Sequence, residues 1–362
     1  MFTRLMQLLT ILSLSLYSSD SSAKIFKLSF TPGAGTPPEV TDAIESELQK
    51  IEDDANDGLP KSNTPDEFMD GMANSSVMSG KGVGSDYASG MRVILIGAGV
   101  GLGAAVDAEG AMKGGDSNFK GAGFQGGLIL GTHLGWLDTQ KIMGLETDRL
   151  NVYLNFFSYT FDKNFGENSA LFETRSFGMH VSYDLIKPRG NILLGWGGIK
   201  IHTGYEYNRL NLDLAGKIKG SFSESDGAGN TYDGSLDASP KGKVEISTHS
   251  IPIEISTSLQ FLYFVSLYGG VGADYNMGFA RGEAGFKTDS NIQCSGATCG
   301  AIPDGTVTAI ADVDADGSVN PFLFRGFAGL QLNLPFIRIY AQANKAIGQD
   351  LVGASVGLRL VY

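Results

Sequence analysis

Apolar and polar residues alternate over long stretches of this chain, and the pattern is clearest in its last twelve residues. Between Leu351 and Tyr362 every even-numbered position is apolar, whereas Gly353, Ser355 and Arg359 occupy odd-numbered positions. Successive side chains of a β-strand point to opposite faces, so this segment is predicted to be a strand with one apolar face. Such strands occur both in soluble β-sandwiches and in barrels with lipid outside and a polar lumen inside.

The alternation recurs upstream, and the chain divides into ten predicted strands separated by polar connections. The predicted strands are 92–107, 121–135, 149–162, 172–186, 191–209, 243–260, 264–282, 319–333, 336–345 and 350–362. Strands of about ten residues or more are long enough to cross a bilayer at a tilt. We therefore predict an all-β fold, an antiparallel transmembrane β-barrel of ten strands, with twelve strands as the alternative.

Short and long connections mostly alternate in this scheme, as they do in outer-membrane barrels with short periplasmic turns and longer outer loops. The tight connections are 187–190, 261–263 and 334–335. The longer polar connections, predicted to be outer loops, are 108–120, 163–171, 210–242 and 283–318. Two connections depart from the rule, because 136–148 is a long turn on the periplasmic side and 346–349 is a short outer one.

The amino-terminal residues follow the order of a secretory signal peptide. Arg4 precedes an apolar run over 5–17, which at about 13 residues is too short to span a bilayer. Small residues at 21–23 then offer a cleavage site, and no cysteine lies nearby to carry a lipid anchor. Residues 1–23 are therefore predicted to be a cleaved signal peptide that directs export to the cell outer membrane, with a short buried helix as the alternative.

Residues 24–91 differ in composition from the strands and are predicted to form a helical and irregular segment of their own. After a capping signal at Thr36, the apolar residues of a predicted helix recur at helical spacing. They are Val40, Ile44, Leu48 and Ile51. The other face of this helix is acidic and carries Glu39, Asp42, Glu45, Glu47, Glu52, Asp53, Asp54 and Asp57. A second helix is predicted at 65–73. The whole segment is predicted either to cap the periplasmic mouth or to plug the lumen of the barrel domain, residues 92–362.

Composition supports an exported β protein and narrows the possible partners. The net charge is −12, and no basic stripe is present, which excludes nucleic acid. The most apolar stretch after the signal, 93–106, is too short for a membrane helix and has glycine at every second position from 97 to 103. Strict alternation favours a strand over the strand-to-helix turn of a dinucleotide site. On a lumen face, such glycines would let the strand bend or make room for a plug.

The chain has two cysteines, Cys294 and Cys299, separated by four residues in a glycine-rich and polar stretch. In an exported protein such a pair is predicted to form a disulfide that closes a small loop. Metal binding is the alternative, but two thiols without a nearby histidine are an incomplete zinc ligand set.

An acidic motif near residue 314 suggests calcium, the one cofactor that the sequence brings into question. Carboxylates at alternate positions followed by glycine match the first half of a calcium loop. The candidate ligands are Asp312, Asp314, Asp316 and Asn320. The twelfth position is Leu323 instead of a bidentate glutamate, so the motif is incomplete. Weak calcium binding in an outer loop and a solvated acidic loop without a metal both remain open.

His180, Ser182 and Asp184 share one face of a predicted strand. Their side chains have the types of a nucleophile, a base and an orienting acid, as in a barrel-embedded lipid hydrolase. The hydrophobic pattern places them on the lumen side, however, where acyl chains have no access. We favour a polar network in the lumen and predict no catalytic residues and no enzymatic activity.

The stretch Phe68-Met-Asp-Gly-Met-Ala-Asn-Ser-Ser-Val-Met-Ser-Gly-Lys-Gly-Val-Gly-Ser-Asp-Tyr-Ala-Ser89, followed by the glycine-alternating strand, resembles the family of leptospiral-type surface adhesins. The resemblance covers the segment before the barrel and, more loosely, the barrel. It implies surface exposure and binding of host matrix proteins such as laminin or fibronectin, or of plasminogen. It assigns no residue of this chain to that binding.

Two functions of different classes follow from these patterns. The first is an integral outer-membrane protein whose outer loops, mainly 210–242 and 283–318, bind surface proteins of a host or prey. The second is a narrow or plugged channel for small polar solutes, selective for cations if the lumen is acidic. A ten-stranded barrel leaves little free interior once side chains fill it, which favours the first function. In both cases outer-membrane lipid surrounds the protein.

Overall fold

The computed structural model describes residues 64–88, 93–106, 119–137, 140–191, 193–225, 231–295 and 307–362, together with five single positions between 38 and 49. The predicted signal peptide, residues 1–23, lies outside the described residues. Most of the predicted helix that follows Thr36 does so too, but the five single positions are helical and exposed. They are Pro38, Asp42, Glu45, Ser46 and Gln49.

Within the described residues, ten long strands make up the body of the protein, close to the predicted positions. In chain order they are β1 (Ile94–Val106), β2 (Phe119–His133), β3 (Leu150–Phe165), β4 (Asn168–Ile186), β5 (Leu194–Ala215), β6 (Thr231–Phe261), β7 (Val265–Ser295), β8 (Phe322–Asn333), β9 (Ile337–Ala346) and β10 (Leu351–Val361). Each strand pairs antiparallel with its neighbour in sequence. The ring closes where β10 pairs with β1, from Leu95↔Val361 to Ala105↔Leu351. The prediction of a ten-stranded antiparallel barrel is confirmed.

The two faces of the barrel wall differ in polarity. Large apolar side chains cover the outside of every part of the ring, and Leu102 and Phe324 are each 59% exposed. Others in this outer band are Ile96, Val100, Leu128, Leu130, Phe177, Met179, Ile253, Ile255, Leu267, Val271, Ile339, Val356 and Leu358. Aromatic side chains are exposed at the end with the short turns, namely Trp136, Tyr263, Phe264, Phe336 and Tyr362. An apolar band with an aromatic girdle is the surface that a barrel presents to a bilayer.

The opposite end of the barrel carries a four-stranded extension that the sequence did not predict. Strands β6 and β7 stay paired as far as Thr231↔Ser295, well beyond the last β5–β6 pair, Lys241↔Ala215. Ile218–Ser225 pairs with the upper part of β6, and Val307–Ser318 pairs with the upper part of β7. We call residues 218–225, 231–242, 279–295 and 307–318 the projecting sheet. At about 3.3 Å per residue, the ten residues of β6 before Lys241 extend the β6–β7 pair by roughly 30 Å, measured along the strand, past the last β5–β6 pair.

Three predicted outer loops therefore need correction. The segments 210–242 and 283–318 are mainly strands of the projecting sheet and its continuation into the barrel. The segment 163–171 is a tight hairpin, because β3 and β4 remain paired up to Phe165↔Asn168 around Gly166, whose φ is +69°. These segments are rich in glycine and in polar and charged residues, so they lack the long, strongly apolar alternation by which the other strands were predicted.

The short-turn end agrees with the predicted connections, including the long one at 136–148. That connection contains two turns of 3₁₀ helix, Leu134–Trp136 and Thr147–Arg149, and a small hairpin of Lys141–Ile142 with Leu145–Glu146. A further two-residue strand, Arg189–Gly190, pairs with the start of β5. Both ends of the barrel domain, the start of β1 and the end of β10, lie at this end of the molecule.

One α-helix of 15 residues, α1 (Pro65–Ser79), precedes the barrel. Its first turn is stabilised by Thr64, whose Oγ1 accepts a hydrogen bond of 3.1 Å from the amide of Glu67, and by proline at the first helical position. The predicted helix at 65–73 is confirmed and extends further, to Ser79. Among the described residues, no helix is long and apolar enough to cross a membrane.

Candidate functional site

The interior of the barrel is occupied by residues 64–88, which we call the plug segment. Apolar side chains of α1 pack against the inner wall near the projecting sheet. This cluster combines Met69, Ala73 and Val77 of the helix with Leu210, Ile246, Ala280, Ala315 and Val319 of the wall. The sequence left two placements open for this part of the chain, at the periplasmic mouth or in the lumen. In the structure, residues 64–88 lie in the lumen.

A track of glycines on β1 and β2 lets the backbone of the plug segment lie directly on the wall. A Cβ atom built on Gly101 would stand 1.9 Å from the carbonyl oxygen of Ser79, and one on Gly103 would stand 2.0 Å from that of Ser75. On β2, a Cβ atom on Gly123 would stand 2.4 Å from the same carbonyl. Real Cβ atoms do not come so close, so the alternating glycines make room for the plug, which was one of the two roles considered for them.

Below α1, the plug segment is held by a buried ion pair. Lys81 has a side chain that is 0% exposed, and its Nζ lies 2.7 Å from Oε2 of Glu206 and 3.5 Å from Oδ1 of Asp274. It also donates a hydrogen bond of 2.8 Å to Oγ of Ser250. A buried ammonium needs such partners, because removal from water is costly for an unpaired charge.

A second ion pair fixes the lower part of the plug segment. Oδ2 of Asp86 lies 2.9 Å from Arg338, and Oδ1 lies 3.4 Å from Arg359. These two positive charges offset the cost of burying the Asp86 carboxylate. The amide of Ala88 adds a hydrogen bond of 3.1 Å to Oδ1 of Asp86. Asp86 is therefore a charged anchor at neutral pH.

Charges in the lumen are balanced, and Arg325 connects several of them. Its Nε donates to Oδ2 of Asp274 at 2.8 Å, and it is also bonded to Glu254 and to Asn344. Among the described residues, the buried carboxylates are Asp86, Glu206, Glu254 and Asp274, and the buried lysines and arginines are Lys81, Lys200, Arg325 and Arg359. The charges of this buried set therefore balance, four of each sign.

Near the short turns, an aromatic cluster surrounds Tyr87. The ring of Tyr87 stacks on Tyr268 with centroids 5.7 Å apart and makes tilted contacts with His202 at 4.7 Å and Phe327 at 4.9 Å. The hydroxyl of Ser258 donates a hydrogen bond of 3.0 Å to the carbonyl oxygen of Ala88. The plug segment is thus attached along its whole length.

A cavity of about 430 Å³ lies at the short-turn mouth, next to the end of the plug segment at Ala88. Its lining combines the polar or charged residues Arg189, Asn191, Lys200 and Gln260 with the aromatic residues Trp196 and Tyr263. The cavity is a vestibule at the short-turn end, and the packed plug segment lies between it and the projecting sheet.

The predicted polar triple of β4 lies on the lumen face, and each member has a different partner. Nε2 of His180 lies 3.4 Å from the amide nitrogen of Asn155. Ser182 accepts a hydrogen bond of 3.3 Å from Asn151. Asp184 lies 3.8 Å from Lys200. Since His180 and Asp184 are four residues apart on an extended strand, roughly 13 Å separates their Cα atoms.

The candidate calcium ligands lie on and just after the strand Val307–Ser318. Asp314, Asp316 and Asn320 are exposed, and Nε of Arg281 lies 3.2 Å from Oδ1 of Asp316. Asp312 belongs to the same strand. An extended backbone spaces alternate side chains by about 6.6 Å and does not wrap them around one point. Among the described residues no group of three or more acids, histidines or cysteines is arranged to hold a metal. Calcium binding stays a prediction.

The cysteine pair is only partly within the described residues. Cys294 belongs to β7, where its backbone pairs with Tyr232, and Cys299 lies outside the described residues. The predicted disulfide between Cys294 and Cys299 therefore stays a prediction.

Sequence analysis missed a set of polar residues on α1 that covers a strand edge. Side-chain oxygens of Asp66, Asp70 and Asn74 accept hydrogen bonds from the amides of residues 316, 318 and 320, at 3.1, 2.7 and 2.8 Å. These amides belong to the edge of the projecting sheet and the turn after it. The spacing of four residues puts the three side chains on one helix face, and that was the available signal.

A closed ring with an apolar exterior, a polar interior and short turns at one end defines an integral outer-membrane β-barrel, here one with an internal plug. The chain belongs to the Lsa36-like family, whose model matches residues 29–362. The family resemblance inferred from the sequence is thereby confirmed. No curated protein matches the chain.

Several solved outer-membrane barrels resemble the chain in outline. The translocator domain of the autotransporter NalP from Neisseria meningitidis is 13% identical, with a TM-score of 0.30, and the match covers 91% of this chain and 100% of that one. Ail of Yersinia pestis, in complex with a heparin analogue, is 14% identical, with a TM-score of 0.20 and coverage of 75% and 99%. The toluene transporter TbuX of Ralstonia pickettii is 8% identical, with a TM-score of 0.24 and coverage of 81% and 99%. Function is argued below from the chain's own residues.

Proposed function

We propose that this protein is a surface-binding protein of the outer membrane, in which a closed barrel carries the projecting sheet as the contact surface for extracellular proteins. The observation that supports this most strongly is the continuation of β6 and β7 beyond the barrel wall, with an additional strand on each side. Such a sheet holds a large surface in one shape, which reduces the entropy lost on binding. The adhesin-like character of the family points to the same function.

Charged side chains on the projecting sheet suit a protein partner. Exposed positions on the sheet are Asp233, Lys241, Glu283 and Lys287, and Lys243 is exposed directly beside it. Lys243 and Glu283 are 3.9 Å apart, with side chains 50% and 62% exposed. Exposed ion pairs of this kind contribute only about 0 to 1 kcal/mol to stability, so their charges are available to a partner at little cost. Mixed charges favour specific protein contacts over a general affinity for one sign of charge.

Trimming the sheet tests this function. Residues 216–240 and 285–312 are each replaced by Asn-Gly, which joins strand ends that are already in register, Ala215↔Lys241 and Ala284↔Val313. As a matched control, residues 164–169 in the β3–β4 hairpin are replaced in the same way. Binding to immobilised laminin, fibronectin and plasminogen is measured for proteins whose heat-modifiable migration shows a folded barrel. We expect binding to fall to background only in the sheet-trimmed protein, and unchanged binding there would rule the function out.

The second candidate function is a gated channel for small polar solutes. It is favoured by the polar lumen and by the attachment of the plug through ion pairs, which can be broken and reformed. Against it stand the glycine track and the packing along the whole plug segment, which leave the described lumen filled. A channel would conduct in the full-length protein under some condition of voltage or pH, whereas the surface-binding protein would not.

A further inference from the structure

The plug segment crosses the barrel from the end with the projecting sheet to the end with the short turns. Its start packs at the end with the projecting sheet, where a Cβ atom on Gly317 would stand 2.2 Å from the carbonyl carbon of Met69. Its middle lies against Gly101 through Ser79. Its end, Ala88, accepts the hydrogen bond from Ser258, three residues before the short turn that follows β6. The chain therefore enters the lumen from the side of the projecting sheet and leaves it at the short turns.

The two ends of the barrel can be assigned to the two sides of the membrane. Barrels of this class have short periplasmic turns, and their longer extensions lie outside the cell. Here the short turns, the start of β1 and the end of β10 share one end, whereas the projecting sheet occupies the other. The start of the plug segment is accordingly at the outer rim.

Hydrogen bonds hold the start of the plug segment at the rim of the barrel. Asp66, Asp70 and Asn74 bind the amides of residues 316, 318 and 320 at the edge of the projecting sheet. Thr64 and Asp66 are exposed, whereas Ala73, about two turns further along the helix, is fully buried. Helix α1 thus begins in solvent at the rim and descends into the wall's interior.

We propose that the barrel displays its own amino-terminal segment, the residues that precede Thr64, on the outer side of the membrane. The lumen cannot return this segment to the periplasm, because the plug segment is packed against the glycine track and paired to both halves of the wall through Lys81 and Asp86. The placement at the periplasmic mouth, which the sequence left open, is incompatible with this route.

The displayed segment includes a helical stretch with a polar face. Asp42, Glu45, Ser46 and Gln49 are helical and exposed, and their spacing of three and four residues puts them on one face. The protein would then present two separate elements at the cell surface, this helix and the projecting sheet. The inference does not depend on what the projecting sheet binds.

Labelling of single cysteines in intact cells tests the display. In a background with Cys294→Ser and Cys299→Ser, the test variants are Ser46→Cys and Gln49→Cys. Lys217→Cys, exposed next to the projecting sheet, is the outer control, and Lys141→Cys, exposed in the short-turn hairpin, is the periplasmic control. Each variant is treated with a membrane-impermeant maleimide before and after the outer membrane is permeabilised, and heat-modifiable migration confirms that the barrel is folded.

The inference predicts that Ser46→Cys and Gln49→Cys are labelled in intact cells to the same extent as Lys217→Cys, while Lys141→Cys is labelled only after permeabilisation. Labelling of both test positions only after permeabilisation, together with Lys141→Cys, would place the segment in the periplasm and overturn the inference. Labelling of Lys141→Cys but not Lys217→Cys in intact cells would reverse the barrel and overturn it too.

Discussion

Replacing Lys81 with methionine should loosen the plug segment, because it removes the charge that faces Glu206 and Asp274 in the lumen. Both carboxylates are buried, and the Lys81 side chain is 0% exposed. Removing one partner of a buried pair costs about 3 to 5 kcal/mol, since the remaining charge is left without compensation. With about 1.4 kcal/mol per factor of ten, this corresponds to an opening of the plug that is roughly 10²- to 10⁴-fold more frequent.

Hydrogen exchange of the backbone amides of α1 measures this opening directly. We expect their protection to fall by that factor in Lys81→Met, while the amides of β3 and β4 keep theirs. Two variants serve as controls. The double variant Lys81→Met, Glu206→Gln also removes one of the two carboxylates that lose their partner, so the protection of the α1 amides should be partly restored. Lys187→Met removes an exposed pair with Asp148, 2.8 Å long, and should change stability by about 0 to 1 kcal/mol. Unchanged protection of α1 in Lys81→Met would refute the view that this ion pair holds the plug.

Three further outcomes follow from the same contacts. Gly103→Leu should overpack the wall against Ser75 and lower the melting temperature, at a cost of about 1 to 3 kcal/mol or more. Gly326→Ala is the control in the same thermal scan and should leave the melting temperature unchanged, because a Cβ atom there meets nothing within 4 Å. Thr64→Ala should destabilise the start of α1 by about 1 kcal/mol, seen as faster hydrogen exchange in its first turn only. Asp86→Asn should loosen the end of the plug segment, because it removes the charge that pairs with Arg338 and Arg359. Hydrogen exchange should become faster at residues 84–88, while the first turn of α1 keeps its protection.

The barrel was predictable from the sequence because lipid outside and polar groups inside impose a period of two on every strand that crosses the membrane. The predicted ends of β1 and β10 lie within two residues of the observed ends. The projecting sheet escaped prediction, because its segments are rich in glycine and polar residues and carry few large apolar side chains at alternate positions. Their pairing is a continuation of the β6–β7 hairpin, and a continuation of this kind has no local signal between residues 231 and 242.

The lumen shows the same division between local and non-local information. The glycines at 97 to 103 signalled close approach on one face of β1, and a plug was one of the two roles inferred for them. The anchors of the plug were not predictable, because Lys81 meets Glu206 and Asp274 only after the chain has closed into a ring. Only the spacing of Asp66, Asp70 and Asn74 could have indicated a polar helix face with a binding role.

Single-channel conductance in a planar bilayer tests most directly the central claim, that the barrel is a closed scaffold filled by its own plug segment. The refolded mature protein is compared with a variant that lacks residues 24–90, and heat-modifiable migration confirms that both are folded. The account predicts a silent full-length protein and discrete conductance steps after the deletion. Discrete steps of the full-length protein, at the same size as those of the deletion variant, would contradict it.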